Sequence, residues 1–444
     1  MLNAIVRFSL QQRIILLVVA AALVAFGVRA LNSLSVDAFP DVTNVQVQIA
    51  TEATGRSPEE VERFITVPLE IAMTGLPGLT EMRSLNRNAL SLITLVFRDD
   101  VDVYFARQLV MERIIEVRSR LPEDVSPILG PVSTGLGEVY QYTLEKPSDK
   151  NTQLSEDELM ERRTIQDWMV RPLLRSVAGV AEINSQGGFE RQYHIRVNPD
   201  RMRHYRVSLN QVYDALARNN ANSGGGILPT GSEQYLVRGI GLIRSVEDIQ
   251  NIVLKEEGGT PVYIKDVADV TIGSAVRVGA LIKNGETEAV GGIVMMLRGG
   301  NAKDVVTRVK QRVAEINGKG MLPGGLQIVP FYDRTELVDA ALWTVTKVLL
   351  EGIALVVVVL FVFLGDLRSS LIVVASLVLA PLVTFMVMNR YGISANLMSL
   401  GGLAIAIGLI VDGSVVVVEN AFAQLSHRKG ESKVRVILEA VQQV

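Results

Sequence analysis

The sequence predicts an α-helical bundle of four membrane spans that carries a large extramembrane α+β region built from ferredoxin-like βαβ repeats. Three observations predict it. Long apolar runs lie near the two ends of the chain, at residues 14–28, 342–364, 369–389 and 391–411. Residues 32–341 between them alternate strand-like and helix-like patterns too regularly for a linker. The order of elements in that loop then recurs: Gly78 matches Gly179 and Glu81 matches Glu182, each pair 101 positions apart (179 − 78 and 182 − 81).

Arg7 and Arg13 precede the first run, which continues to Leu31 if Arg29 snorkels to the far interface. A cleaved signal segment, with 36–38 as the cleavage site, is the alternative. The apolar C-terminal part favours a retained anchor. The second run has an uncharged core at 352–365, so Lys347 and Glu351 fall in its outer turns, and Pro381 predicts a kink in the third. Arg368 and the basic stretch 427–435 share a side with Arg7 and Arg13, which puts the large loop on the trans side, the periplasm of a Gram-negative cell.

Within the loop, residues 41–51 alternate as a strand. Ser57, Pro58 and Glu60 open a helix through a capping box, and Gly75 and Pro77 follow its end. Strands at 79–86 and 89–97 and a helix at 103–120 complete a β-α-β-β-α order. The second copy begins with a helix at 155–176, capped by Ser155 and Glu158. An insertion interrupts it: a helix at 208–218 capped by Ser208 and Gln211, and a hairpin at 219–239 whose three consecutive glycines argue against packed structure at its tip. Strands at 262–264 and 267–272 lead back. Strands at 276–282 and 289–297, a helix at 302–317 and a last strand at 322–334 finish the copy.

The 444 residues include 48% hydrophobic ones and carry a formal net charge of −3, a balance that argues against a nucleic-acid partner. With no cysteine, neither a disulfide nor a thiolate metal site exists in the chain. The chemistry concentrates at 401–420, GGLAIAIGLIVDGSVVVVEN, an apolar run holding Asp412 and Glu419. Seven residues apart, they share nearly one helix face. A carboxylate facing lipid costs roughly 2.5–3.5 kcal/mol, so Asp412 should face protein or water, as proton-relay acids do. The alternative ends the helix after Val411 and leaves both acids in the interface. Met295–Met296 and Met386/Met388 are soft donors, but ordinary packing explains both pairs, and His194 and His204 read as surface residues. No metal ligand is assigned.

The segments VDAFPDVTNVQVQI, YLVRGIGLI, VGGIVMML and GLIVDGSVVVVEN together resemble the N-terminal half of a resistance–nodulation–division exporter, nearest its heavy-metal efflux branch. The resemblance implies an inner-membrane, proton-driven homotrimer that works with a periplasmic adaptor protein and an outer-membrane channel, needs no cofactor, and exchanges protons for metal cations. It implies a first segment and span at 1–31, porter subdomains at 32–132 and at 133–184 with 274–331, a docking insert at 185–273, and spans two to four with a cytoplasmic tail at 332–444. Eight further spans and a second loop would follow Val444. Asp412 matches the proton-carrying acid of the fourth span and Glu419 the acid of a trailing E-N pair. Gly413 replaces the second aspartate of multidrug relatives. Ala406 stands where zinc, cobalt and nickel exporters carry an aspartate, and on that ground the sequence favours copper or silver. Export of organic compounds is the runner-up, disfavoured by 5% aromatic content. A non-transporting scaffold would use Gly401, Gly402 and Gly408 for close helix contacts but gains nothing from buried acids. No nucleophile elbow, P-loop or metalloprotease motif points to an enzyme.

Overall fold

Val45, Val47 and Ile49 turn inward in alternation, so Val45–Glu52 is a strand with one buried face. It lies at the centre of a four-stranded antiparallel sheet, between Leu90–Phe97 and Ile128–Leu129, with Leu79–Arg87 outside Leu90–Phe97. The helical stretch 58–73 and the helix Val103–Val117 bury Ile65, Leu69 and Val110 against Ile49, Ile93 and Leu95. That is the complete split βαβ order. The capping box forms as read: the Ser57 amide donates to Glu60 Oε2 at 2.9 Å, and the Glu60 amide donates to Ser57 Oγ.

The structure, a computed structural model, describes the backbone of residues 2–37, 39–149, 152–277, 279–364, 367–428 and 430–443. Side chains are described throughout these except at 2–5, 341, 345, 348, 349, 353, 356, 360, 363, 364, 367–371 and 410–412.

A second sheet repeats the first strand for strand. Thr287–Met296 sits between Val180–Gly187 and Glu138–Glu145, and Gln327–Asp333 pairs the far edge of Glu138–Glu145. The helical stretch 156–175 and the helix Ala302–Gly318 cover it. Both copies hold a five-residue π-turn, Glu62–Thr66 and Gln166–Val170, ending two residues before Pro68 and Pro172. A proline lacks the N–H that would continue the α ladder, and the wider turn absorbs the gap. Gly78 and Gly179 both take positive φ, and a Cβ on either would meet a valine methyl, of Val101 and Val305, at 2.7 and 2.6 Å.

Three readings are corrected here. Glu138–Glu145, the first strand of the second copy, has no counterpart in the sequence reading. Both its faces are covered, with Tyr140 and Tyr142 buried, which blurs the alternation. The strand expected at 276–282 shrinks to Leu281–Lys283, and Val276 is 97% exposed. The glycine triplet is not at the hairpin tip. Gly224–Gly226 lies near the base, where the ladder shifts register, and the turn falls between Thr230 and Glu233.

Residues 188–286 leave the second sheet between its second and third strands. They carry a separate core of Val207, Val212, Ile249, Ile264 and Val267. The hairpin Ser223–Thr230/Glu233–Gly239 projects from them, exposed along its whole length.

Four long helices make the apolar part: Arg13–Ser33, Arg334–Leu364, Leu367–Tyr391 and Leu397–His427. Among the described residues, three stretches, Arg13–Ser33, Ile372–Tyr391 and Leu397–His427, are long and apolar enough to cross a membrane; Leu350–Val359 is a shorter apolar stretch within Arg334–Leu364. Among the described residues the close helix contact is not at Gly401, Gly402 or Gly408, where an added Cβ meets none of them within 4 Å. It is at Gly27, where a Cβ would stand 2.6 Å from Leu382 Cβ and 3.2 Å from its Cα. Gly27→Leu should therefore push these two helices apart at a cost of about 1–3 kcal/mol. A lowered melting temperature of the full-length protein in detergent would register it; an unchanged one would deny the contact.

Candidate functional site: the acid-bearing helix

The helix Leu397–His427 starts at Asn396, which is buried and whose side-chain oxygen accepts from the amides of Met398 and Ser399 at 3.0 Å. It runs unbroken through positions 412 and 419, so the reading that ends it after Val411 does not hold. Leu403 and Ile407 are buried against Leu377. Ser376 and Ser414 meet by their hydroxyls at 3.1 Å on the same contact with Leu367–Tyr391.

By helical register, position 412 stands nine residues and about 180° from Leu403, and position 419 within about 20° of 412. The acid positions are thus on the face turned away from Leu367–Tyr391. Ile405 and Leu409, flanking that face, are 74% and 73% exposed, and Glu419 is exposed. The Asp412 side chain lies outside the described residues. Glu419 makes no described contact, whereas the neighbouring Asn420 donates through Nδ2 to Ala440 O at 2.8 Å. Arg428, at the helix end, pairs with Glu439 at 2.5 Å, so the short helix Lys433–Gln443 is strapped beneath the acid-bearing one.

The other end is held by segments far apart in sequence. Ala395 donates to Ser35 O at 2.8 Å and accepts from the Asp37 amide at 3.1 Å. Asp37 in turn accepts from Arg334, the first residue of Arg334–Leu364, through Nε at 3.0 Å and Nη2 at 2.8 Å. The adjoining Asp333 carboxyl is raised by burial but lowered further by the Lys310 ammonium and Thr335, which together hold it below the usual carboxylate range. Sequence reasoning missed this assembly because no local pattern marks a pairing of Asp37 with Arg334.

The methionine pairs behave as packing. Met295 and Met296 are buried, Met296 within the core of the second copy, and Met388 is buried beside Leu34 and Ala395. His204 stacks edge-on against Tyr205. Among the described residues no three His, Cys, Asp or Glu side chains gather as a metal site.

The chain thus combines membrane-length helices, one with acids inside its apolar run, with a duplicated α+β unit and a projecting hairpin. The chain belongs to the AcrB/AcrD/AcrF family, whose model matches residues 5–444, and within it to the heavy-metal efflux branch of the resistance–nodulation–division superfamily. The cobalt-zinc-cadmium resistance protein CzcA of Cupriavidus metallidurans is 47% identical over 432 residues, 96% of this chain and 40% of that protein. Protein HelA of Legionella pneumophila is 48% identical over 431 residues, 97% of this chain and 40% of that protein. A crystal structure of a heavy metal efflux pump superposes with a TM-score of 0.85 at 37% identity, covering 99% of this chain and 42% of that one. The chain therefore spans about 40% of the length of these relatives.

The preference for copper or silver is not supported by these comparisons, which weigh weakly against it. A relative 47% identical is named for cobalt, zinc and cadmium, although Ala406 lacks the aspartate expected of such exporters. Position 406 stands about 120° around the helix from 412. Its alanine therefore removes no charge from the acid-bearing face and says little about the ion.

Asn420→Ala should release Lys433–Gln443 from the acid-bearing helix, since a hydrogen bond of this kind contributes about 1 kcal/mol. Hydrogen exchange of amides 433–443 in the full-length protein should quicken several-fold; an unchanged rate would show that Arg428 and Glu439 suffice.

Proposed function

We propose that this chain is the N-terminal part of an inner-membrane, proton-driven exporter of heavy-metal cations. The observation that carries the reading is the continuous apolar helix Leu397–His427 with Asp412 and Glu419 on one face, in a chain of this branch. Asp412 is the principal proton carrier and Glu419 a secondary one near the end of the membrane run. Four helices span the bilayer, Arg334–Leu364 among them, and the large loop is periplasmic. Residues 32–132 form one porter subdomain and 133–184 with 274–331 the second; residues 185–273 form a docking insert whose hairpin reaches a neighbouring protomer in a homotrimer. The pairing of Ser185, Gln186 and Gly187 with Val290–Gly292 supports moving the start of the insert to 188. An adaptor protein and an outer-membrane channel complete the export path. Zinc, cobalt and cadmium are the cargo that the resemblance to CzcA supports.

Protonation of Asp412 neutralises a charge that the apolar surroundings disfavour, and its release restores it. The helix gains differently in the two states, and a difference of this kind is what lets a proton gradient shift a conformational equilibrium. Asp412→Asn keeps size and shape but cannot titrate. In proteoliposomes of the full-length protein it should reduce zinc-driven proton flux to the level of empty vesicles, while Glu419→Gln retains a substantial part. Undiminished flux in the Asn variant would remove Asp412 from the mechanism. Export in the native protein of a drug panel but no metal would move the reading to organic substrates, and no flux of either kind would favour a scaffold.

A further inference from the structure

Arg334 has a place in the fold that the relay does not explain. Its side chain is only 5% exposed, and that of Asp37 14%. Its Nε and Nη2 both donate to Asp37 Oδ1, and its Nη1 donates to Leu136 O. Leu136 lies two residues before Glu138–Glu145, the central strand of the second sheet. On its other side Arg334 directly continues Gln327–Asp333, the edge strand paired to that same central strand, with Asp333 opposite Tyr140. One guanidinium thus ties the turn before Glu138–Glu145 to Asp37 at the point where Gln327–Asp333 passes into Arg334–Leu364.

Asp37 connects this cluster to the acid-bearing helix. Val36 and Ala395 form a parallel bridge, closed by Asp37 N to Ala395 O and Ala395 N to Ser35 O. The next residue, Asn396, is the buried cap of Leu397–His427. Leu34, Met388 and Ala395 form a small buried cluster under the bridge, with Val36 and Leu400 packed on it. From Asn396 to Arg334 the path is two backbone hydrogen bonds and one forked ion pair, all buried or half-buried.

We propose that Asp37 and Arg334 are positioning residues that bind the start of the Asp412 helix to the second sheet as one rigid body, so that a displacement of that helix moves the sheet. The inference rests on Asp412 being the proton carrier in one respect only: the proton is what displaces the helix. Rigidity itself is independent of that reading. A buried ion pair is worth little to stability compared with an apolar substitute, but it fixes one arrangement among several, because both partners lose their charge compensation together if the geometry slips. The peptide hydrogen bonds alone would allow the Val36–Ala395 bridge to slide.

The chain has no cysteine, which suits site-specific labelling. Spin labels at the exposed positions Met398, in the first turn of the Asp412 helix, and Gln327, at the far end of the edge strand, report the distance across the joint. In the full-length native protein the distance distribution should be narrow and the same at pH 7.5 and 5.5. In Arg334→Met it should at least double in width, and zinc export should fall about tenfold or more. Arg334→Lys, which can still reach Asp37 but loses the fork and one donor, should lie between. Trimer assembly by size-exclusion chromatography controls for folding. Should Arg334→Met not assemble, Asp37→Asn, which keeps the shape and an acceptor oxygen, must show the broadening instead. A narrow distribution in an assembled Arg334→Met or Asp37→Asn protein overturns the proposal, as does unimpaired export with a broad one. Normal export by Asp412→Asn would defeat the relay reading alone, because the width across the joint is set by Asp37 and Arg334 and is the same at both pH values.

Discussion

A chain whose first long apolar helix ends at Ser33 and whose next begins at Arg334 brings two points nearly three hundred residues apart within bonding distance of one another. The Asp37–Arg334 contact is that closure, across a sequence separation of 297. Loop-closure entropy grows only slowly with length, so the length of the excursion is no obstacle in itself. What the excursion needs is an ending with one geometry. The turn before Glu138–Glu145, the start of Arg334–Leu364 and the connector before Asn396 all meet at this joint.

Where a residue's job is local, the sequence shows it. Ser57 with Glu60, Ser155 with Glu158 and Ser208 with Gln211 all form the capping boxes their spacing implies. The match of Gly78 with Gly179 proved to be a match of backbone: both occupy the left-handed region with a valine against the α-carbon. The duplication rests more firmly on the common strand order and on the paired π-turns than on any residue identity. Those turns escape a reading by period, since one widened turn shifts the helical phase by only a single residue. Glu138–Glu145 escapes for the opposite reason: a strand covered on both faces carries no alternation. The acid-bearing helix was legible because carboxylates in an apolar run are conspicuous, whereas Asp37 and Arg334 look like ordinary polar residues at the ends of apolar runs.

The acid-bearing helix is held at both ends and presents its acids between them. Asn396 fixes its start to the extramembrane joint, and Asn420 with Arg428 fixes its last turns to Lys433–Gln443. Along the middle, Leu403, Ile407 and Ser414 keep one side against Leu367–Tyr391. Positions 412 and 419 fall on the opposite side. Under the proposed relay, a helix so anchored would keep its backbone hydrogen bonds through a change of charge, since these have no alternative partners in hydrocarbon, and would move as one body with the joint at its start.

The main difference between the two sheets lies at one turn. In the first copy Arg87 pairs with Leu90 across a tight turn, three positions apart (90 − 87). In the second, the equivalent pair is Gly187 with Val290, 103 positions apart (290 − 187). The extra hundred residues are spliced into a hairpin turn, and the two ends of the splice emerge side by side from adjacent strands. A body attached in this way hangs on a short double tether and, among the described residues, shares no sheet hydrogen bonds with its carrier beyond the edge strand Leu281–Lys283. Its length or content can therefore change without shifting the register of the sheet beneath, because the splice replaces a turn and not a strand.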